Sequence, residues 1–431
     1  MKKIITIAIT LLLLITSTTY IVNAETPAPP NVSGDGIVLM DATTGEILYG
    51  KNIDATFPPA STTKIMTALL TLENCKLDDV VTVSNDFTSK NLPLLDGNRI
   101  NVKNGEQITV KDLLYALLLP SANDAAVALA EHISGSVPEF AKLMNKRAKE
   151  LGCTTANFQN PNGLYDKDHR VSAKDLALIL RELASHPEFS QIATTVSYTM
   201  APTNKTDPVM TKRDRTLTNE NKLVNKNLPS YYYEGIEGGK TGYTIQSLHS
   251  YVASATRDNH RLIVTIMHSN DRTFFQDARN LFDYGFKNFT LEKMYSKGDK
   301  VTVFNESSGN SIPLLAAKDF YYVKYKTSNT VPTFNFNEAS LKDKYFHKGD
   351  MVSNLDMNLD GKSIGTLGLV SSADYNPNSS SLASISENSL KNNKIVYILG
   401  VIIVLFLLNA YRLRRISLAR KKRYLKYKGL K

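Results

Sequence analysis

The chain is poor in cysteine: its 431 residues hold two, Cys75 and Cys153. That excludes a disulfide-stapled scaffold and any four-cysteine zinc site. Strong compositional bias is missing too. With 42% hydrophobic and 21% charged residues, wholesale disorder is excluded. The length allows about two to four domains and a core that needs no covalent staples.

Acidic residues are absent from Arg412 to Lys431. Ten basic ones gather there: Arg412, Arg414, Arg415, Arg420, Lys421, Lys422, Arg423, Lys426, Lys428 and Lys431. This tail carries the whole formal charge of +10. The rest, less Lys2, Lys3, Lys391 and Lys394, is mildly acidic, so a nucleic-acid partner loses its main support.

Charge is also absent between Lys3 and Glu25. A short basic start, the apolar run Leu11 to Ile15 and the small residues ending at Ala24 read as a secretory signal over 1–24. The threonines at 16, 18 and 19 weaken the alternative, an uncleaved span. Ile395 to Leu408 lacks any polar face, which excludes an interfacial helix. Extended through Tyr411 it reaches the short limit for crossing a bilayer. With the basic tail 412–431 next to it, a transmembrane helix over 395–411 is expected. The tail then stays cytoplasmic, lying along anionic headgroups, and the body stays outside. In that compartment thiols can oxidise, and sequence alone does not decide whether Cys75 and Cys153 pair. Neither spacing nor context argues for a bridge, so two separate, mostly buried thiols are expected.

Between the ends, Gly36 to Lys51 reads as a hairpin. Pro58-Pro59-Ala60 precedes a helix starting near Ser61. Lys111 to Leu119 is helical until Pro120, and a second helix resumes near Asp124, leaving Ser121-Ala122-Asn123 in the break. Further helices are expected at Pro138 to Leu151, with Gly152 as its cap, and at Ala173 to Ser185. Paired strands follow at Tyr251 to Thr256 and Leu262 to His268. Strands, a cluster of helices, then strands again give an α+β layer architecture over 25–285. Short strands and turns with Lys-Gly-Asp at 297–299 and 348–350 suggest a small all-β domain over 290–371. The Ser- and Asn-rich stretch 372–393 reads as a solvated linker.

Three short motifs carry chemistry. Ser61-Thr62-Thr63-Lys64 places a hydroxyl and an amine on one helical face, at a helix start that favours developing negative charge. A neutral Lys64 there can accept the serine proton. Alone, the bland alternative is an N-cap serine beside a solvated lysine. Ser121-Ala122-Asn123 follows 60 residues on; its bland alternative is capping of the helix at Asp124. Lys240-Thr241-Gly242 comes 119 residues later, where Gly238, Gly239 and Gly242 let a ligand approach a strand edge. Its bland alternative is a Gly-rich turn.

Ser-x-x-Lys, Ser-Asp-Asn and Lys-Thr-Gly form a joint signature of penicillin-binding proteins and class A β-lactamases; here they occur in that order, with alanine in the middle of the second, at a helix start, a helix break and a strand. From roughly Pro29 to Ser371 the chain resembles a low-molecular-weight penicillin-binding protein, a serine-type D-alanyl-D-alanine carboxypeptidase. The resemblance rests on Pro-Ala-Ser-Thr-Thr-Lys-Ile-Met-Thr-Ala-Leu-Leu (59–70), Leu-Leu-Leu-Pro-Ser-Ala-Asn-Asp-Ala-Ala (117–126) and Gly-Gly-Lys-Thr-Gly-Tyr-Thr (238–244). It implies a β-lactamase/transpeptidase-like domain, with an antiparallel sheet flanked by helices, and a C-terminal β domain. It implies peptidoglycan pentapeptide stems and β-lactam antibiotics as ligands, and no metal or organic cofactor.

The resemblance also implies roles. Ser61 attacks the bond between two terminal D-alanines, Lys64 is its base, and Ser121 relays a proton. Asn123 and Lys240 hold the substrate. Thr241 contacts its carboxylate, with Gly242 and Tyr243 beside it, and the N–H groups of Ser61 and Tyr243 form an oxyanion hole. One departure stands out. The family's carboxylate-clamping arginine is missing from Asn219-Glu220-Asn221-Lys222, and Arg213 and Arg215 are nearby but unplaced. His169 is expected to be a structural histidine and Tyr231 to Tyr233 packing residues. The rivals are a β-lactamase and an inactive wall-binding module. The first is disfavoured because no Glu-x-x-Leu-Asn element lies between Ser121 and Lys240, the second by the intact motif set.

Overall fold

The computed structural model describes residues 27–306, 310–377, 379–427 and 429. The expected signal segment, 1–24, lies outside the described residues. The chain divides into two compact units. The first takes in Met1–Glu292 and Tyr321–Thr330, the second Lys293–Phe320 and Val331–Lys431.

The first unit is built on five antiparallel strands: β1 (Gly36–Asp41), β2 (Ile47–Lys51), β3 (Ile236–Thr244), β4 (Leu248–Arg257) and β5 (His260–Ser269), in the order β2-β1-β5-β4-β3. The alternation of side chains explains why the central strands read as unbroken apolar runs. Val38 and Met40 of β1 join one core with Val252, Ile263 and Met267. Ile37 and Leu39 point the other way, into a second core with Tyr251, Leu262 and Val264. The first core is covered by the helices α1 (Lys64–Asn74), α2 (Val110–Leu118), α3 (Asn123–Ser134), α4 (Val137–Glu150) and α5 (Ala173–Leu183). The second is covered by α6 (Phe274–Asn288), through Phe274, Ala278, Leu281 and Phe282. The site motifs therefore hang from a layer that is fixed on both sides.

Local chemistry sets the helix ends. Ser136 accepts a hydrogen bond from Glu139 N and opens α4, and Gly152 adopts φ +84° just past its end, a left-handed stop that glycine takes without strain. Thr109 caps α2 by accepting from Asp112 N.

The second unit carries another five-stranded antiparallel sheet: β6 (Lys300–Asn305), β7 (Ser311–Ala316), β8 (Thr333–Phe334), β9 (Met351–Leu359) and β10 (Lys362–Ser371), in the order β6-β7-β10-β9-β8. Residues 321–330, expected inside the β domain, group with the first unit, because Val323 is buried in the α6-side core and the Tyr325 ring meets Phe289 at 4.4 Å. The stretch expected as a linker differs as well. It is helical from Ser379, and α7 (Ser379–Tyr427) runs through it into the basic tail. No proline or glycine stands between Pro377 and Gly400, so once the apolar segment nucleates a helix nothing upstream breaks it. Among the described residues, Val396–Lys426 is the one helix long and apolar enough to cross a membrane, and none of its most apolar window is buried.

Candidate active site

Ser61 lies in a 3-10 turn, Ala60–Thr63, and the α-helix proper begins at Lys64. The expectation had Ser61 opening the α-helix itself. The tighter turn matters, because residues three apart eclipse one another in 3-10 geometry. Lys64 Nζ accordingly lies 2.9 Å from Ser61 Oγ. Neither end makes a side-chain cap hydrogen bond, so Ser61 is not an N-cap.

Lys64 is fully buried. Its Nζ donates to Asn123 Oδ1 at 2.7 Å and to the Asn162 carbonyl at 2.9 Å. Asn123 is held amide-outward by donating its Nδ2 to the Asp96 carbonyl, which settles which atom faces the lysine. Both partners only accept. The third direction faces Ser61 Oγ: a protonated Lys64 donates there, and once the proton is lost the same direction holds the lone pair. Burial pushes Lys64 well below the ordinary lysine value, and the Lys240 charge adds to this; Glu220 and Asp124 oppose it. A desolvated ammonium without an adjacent carboxylate favours its neutral form.

The turn is held from two directions. Gly163, at φ +84°, passes so close that a Cβ there would sit 1.7 Å from the Ala60 carbonyl oxygen. Gly242 of β3 presses from the other side, where a Cβ would meet Pro59 O at 2.9 Å and Thr62 N at 3.1 Å. Ala60 itself adopts φ +48°, a costly backbone for a side-chain-bearing residue. The turn is completed by His169. Its Nδ1 accepts from Gln159 N (3.3 Å), which leaves Nε2–H to donate to Thr63 Oγ1 (3.1 Å). Burial pushes this imidazole down to about 4, so it is neutral and structural, as expected.

Ser121 sits in the helix break at φ +66°, and its buried Oγ has no hydrogen-bond partner. Asn123 begins α3 but faces Lys64 instead of capping. Asp124 fastens the loop over the break: Oδ1 accepts from Ile100 N (3.1 Å) and Oδ2 from Val102 N (2.9 Å).

The motif on β3 is less tightly joined. Lys240 is buried, and its Nζ donates to the Thr241 carbonyl at 3.1 Å and lies 3.7 Å from Glu220 Oε2. Burial lowers it, with Glu220 opposing. Its influence on Lys64 is electrostatic. Thr241 Oγ1 donates to Glu220 Oε2 at 3.2 Å. Tyr243 is exposed and stacks on His249 at 4.6 Å, apart from the Lys64 network.

These groups suit a serine nucleophile with a lysine base. Two family models match the chain. One, described as D-alanyl-D-alanine carboxypeptidase, matches residues 23–271. The other, described as the C-terminal domain of penicillin-binding protein 5, matches residues 289–376. The chain belongs to the D-alanyl-D-alanine carboxypeptidase family. Relatives include DacF of Bacillus subtilis, 33% identical over 63% of this chain and 67% of that one. DacA of Haemophilus influenzae is 31% identical over 79% and 85%. Penicillin-binding protein 5 of H. influenzae superposes with a TM-score of 0.67 at 30% identity, covering 81% of this chain and 99% of that one.

Sequence reasoning missed three residues that the structure brings against this cluster. Asn162 offers Lys64 a backbone carbonyl, which no side-chain motif encodes; the Asn160-Pro161-Asn162-Gly163 turn was the available signal. Gly163 was legible only as a turn residue. Glu220 was noticed for the arginine it is not, rather than for the contacts it makes. Both cysteines are free, and burial pushes the Cys153 thiol up to about 12. Among the described residues, the donor atoms of Glu73, Glu182 and His186 lie within 4.8 Å of one another. Arg147 already bridges those two carboxylates at 2.7 and 3.1 Å, and none of the three belongs to the Lys64 network.

Proposed function

We propose that this protein removes the terminal D-alanine from peptidoglycan stem pentapeptides through an acyl-enzyme on Ser61, and that penicillin acylates the same serine. The observation carrying the proposal is the Lys64 amine, buried, with two acceptors on its N–H bonds and Ser61 Oγ on the remaining direction. Lys64 takes the serine proton as Oγ attacks the penultimate D-alanyl carbonyl carbon. Ser121, with its unpartnered buried hydroxyl, passes a proton to the leaving amine. Asn123 orients the base, and Lys240 holds substrate and depresses Lys64. Thr241 receives the terminal carboxylate beside Gly242. The N–H groups of Ser61 and Tyr243 bind the oxyanion, a contribution worth about 3 kcal/mol per donor in comparable sites. Water then cleaves the ester.

The signal segment 1–24 directs export, and the apolar part of α7 crosses the membrane with the basic tail cytoplasmic and the catalytic unit outside. The deciding experiment is mass spectrometry of the intact protein after incubation with penicillin, with the adduct mapped by peptide, followed by assay of D-alanine released from a pentapeptide. An adduct away from Ser61, or none, would sink the proposal. A long-lived penicilloyl-enzyme separates it from a β-lactamase, which sheds the adduct rapidly.

A further inference from the structure

The end of the sheet away from the serine holds a cavity of about 520 Å³. Across the ladder Thr241 pairs with Tyr251, and Tyr251 with Ile266. Arg261, on the cavity wall, comes five residues before Ile266 on β5, about 17 Å back along an antiparallel strand. Thr43 of the β1–β2 turn, Glu150 at the end of α4, and Arg181, Glu182 and Ser185 at the end of α5 complete the polar lining. None of these residues takes part in the Lys64 network.

The two sides of this cavity carry opposite charge. On the sheet side, Arg181 donates Nε to the Ala42 carbonyl at 2.6 Å and Nη2 to the Thr43 carbonyl at 2.9 Å. Carbonyls orient a guanidinium without neutralising it, and of its five N–H bonds three remain. Arg261 is paired through Nε and Nη2 with Glu237 at 2.7 and 2.9 Å, which leaves its other N–H bonds for a ligand. On the α4 side the balance reverses. One guanidinium, Arg147, serves three carboxylates: Glu73 at 2.7 Å, Glu182 at 3.1 Å and Glu150 at 3.6 Å. Lys146 reaches Glu150 only at 3.9 Å and in the open, where such a pair is worth little. The last turns of α4 and α5 add partial negative charge.

A free anion entering here meets the Glu150 and Glu182 carboxylates, and a free cation meets Arg181. A molecule carrying both charges meets a partner at each end. We propose that this cavity is a second, non-catalytic binding site for a short zwitterion, an amino acid or dipeptide with a free ammonium and a free carboxylate: the carboxylate on Arg181, the ammonium between Glu150 and Glu182. D-alanine, released by the reaction proposed above, and free D-alanyl-D-alanine share this chemistry. The volume exceeds what one alanine fills and leaves room for the dipeptide. No bond is made or broken there.

The test is a ligand-observed NMR titration of the full-length protein in detergent, with the serine pocket first occupied by penicillin. D-alanyl-D-alanine should bind with a Kd of about 1 mM, a value in keeping with so small a molecule. N-acetyl-D-alanyl-D-alanine, which lacks the ammonium, and D-alanyl-D-alaninamide, which lacks the carboxylate, should each bind about tenfold more weakly. Glu182→Gln should weaken the zwitterion about tenfold and leave the acetylated peptide unchanged; Arg181→Gln should do the same with the amide as the unaffected probe. The Glu182 side chain is 40% exposed, so its variant tests the site even where Arg181→Gln loosens the β1–β2 turn. D-alanine matching the dipeptide would assign the site to the reaction's own product, and weaker D-alanine binding would assign it to the dipeptide. Equal affinity for all three dipeptides overturns the inference, as does absence of saturable binding at about ten times that Kd, or binding that neither variant weakens. The site needs no chemistry at Ser61. A protein that penicillin fails to label, yet whose binding falls in Glu182→Gln, loses the parent function and keeps this one.

Discussion

Lys64 Nζ and Ser61 Oγ stand 2.9 Å apart, and the other two directions of the amine are already taken by the Asn123 amide oxygen and the Asn162 carbonyl. Under the proposed mechanism the pair is productive only if the lysine sheds its proton. Lys64→Arg keeps the positive charge but cannot be neutralised. Acylation by penicillin should therefore fall about 10²- to 10⁴-fold, measured as the rate of labelling. Labelling at the wild-type rate would remove Lys64 as the base.

The charges around Lys64 give a signed pH effect. Glu220 opposes the fall in its pKa, so removing that acid lowers the pKa further. The base then stays neutral to lower pH. In Glu220→Gln the acidic limb of the acylation rate should move to lower pH relative to wild type. A limb that stays in place or moves up would show that some other group controls it.

Gly242 does more than complete a motif. Any side chain there presses on the Pro59 carbonyl and the Thr62 nitrogen, both backbone atoms of the turn that presents Ser61. Gly242→Ala should displace the nucleophile by a few tenths of an ångström and slow acylation roughly 10- to 100-fold, with little change in the urea midpoint. Acylation at the wild-type rate would mean the turn is softer than its packing indicates.

The parts legible in the sequence were those that chemistry restricts to few residue types. The clustering of Ser61 and Asn123 on Lys64 was readable because the proposed chemistry of a nucleophile and a base allows few residue types at those positions. The hairpin and the helices were readable from their periodicity and their Pro and Gly punctuation. Asn162 was not, because any residue could supply its carbonyl; only the turn geometry puts it there. The double burial of β1 was hidden because a run of Ile, Val, Leu and Met does not reveal that alternate residues enter different cores. The segment before the apolar helix was misread because serine and asparagine usually mark coil, yet in a chain without breakers they did not stop a helix.

His169 supplies a stability signature of its own. Folded, its pKa is about 4; unfolded, it returns to about 6.5. Between those values the unfolded chain binds a proton that the folded chain refuses. Stability therefore falls as pH drops from about 6.5 to about 4, by up to about 3 kcal/mol from this group. Below that window the penalty is constant. His169→Gln, which cannot titrate, should flatten the pH dependence of the urea midpoint across this range. An unchanged slope would assign the acid sensitivity to other groups.

The C-terminal helix makes a separable claim. Val396, Ile398, Leu399, Ile402, Ile403 and Leu405 through Leu408 are exposed, a stretch of apolar surface that suits a bilayer better than water. Ending the chain after Pro377 removes α7 and the basic tail while leaving both sheets and every residue of the Lys64 network. The shortened protein should move from the membrane pellet to the soluble fraction and still be labelled by penicillin at Ser61. Retention in the pellet would place the anchor elsewhere, whereas loss of labelling in a folded, soluble protein would mean that α7 contributes to the site as well as to attachment.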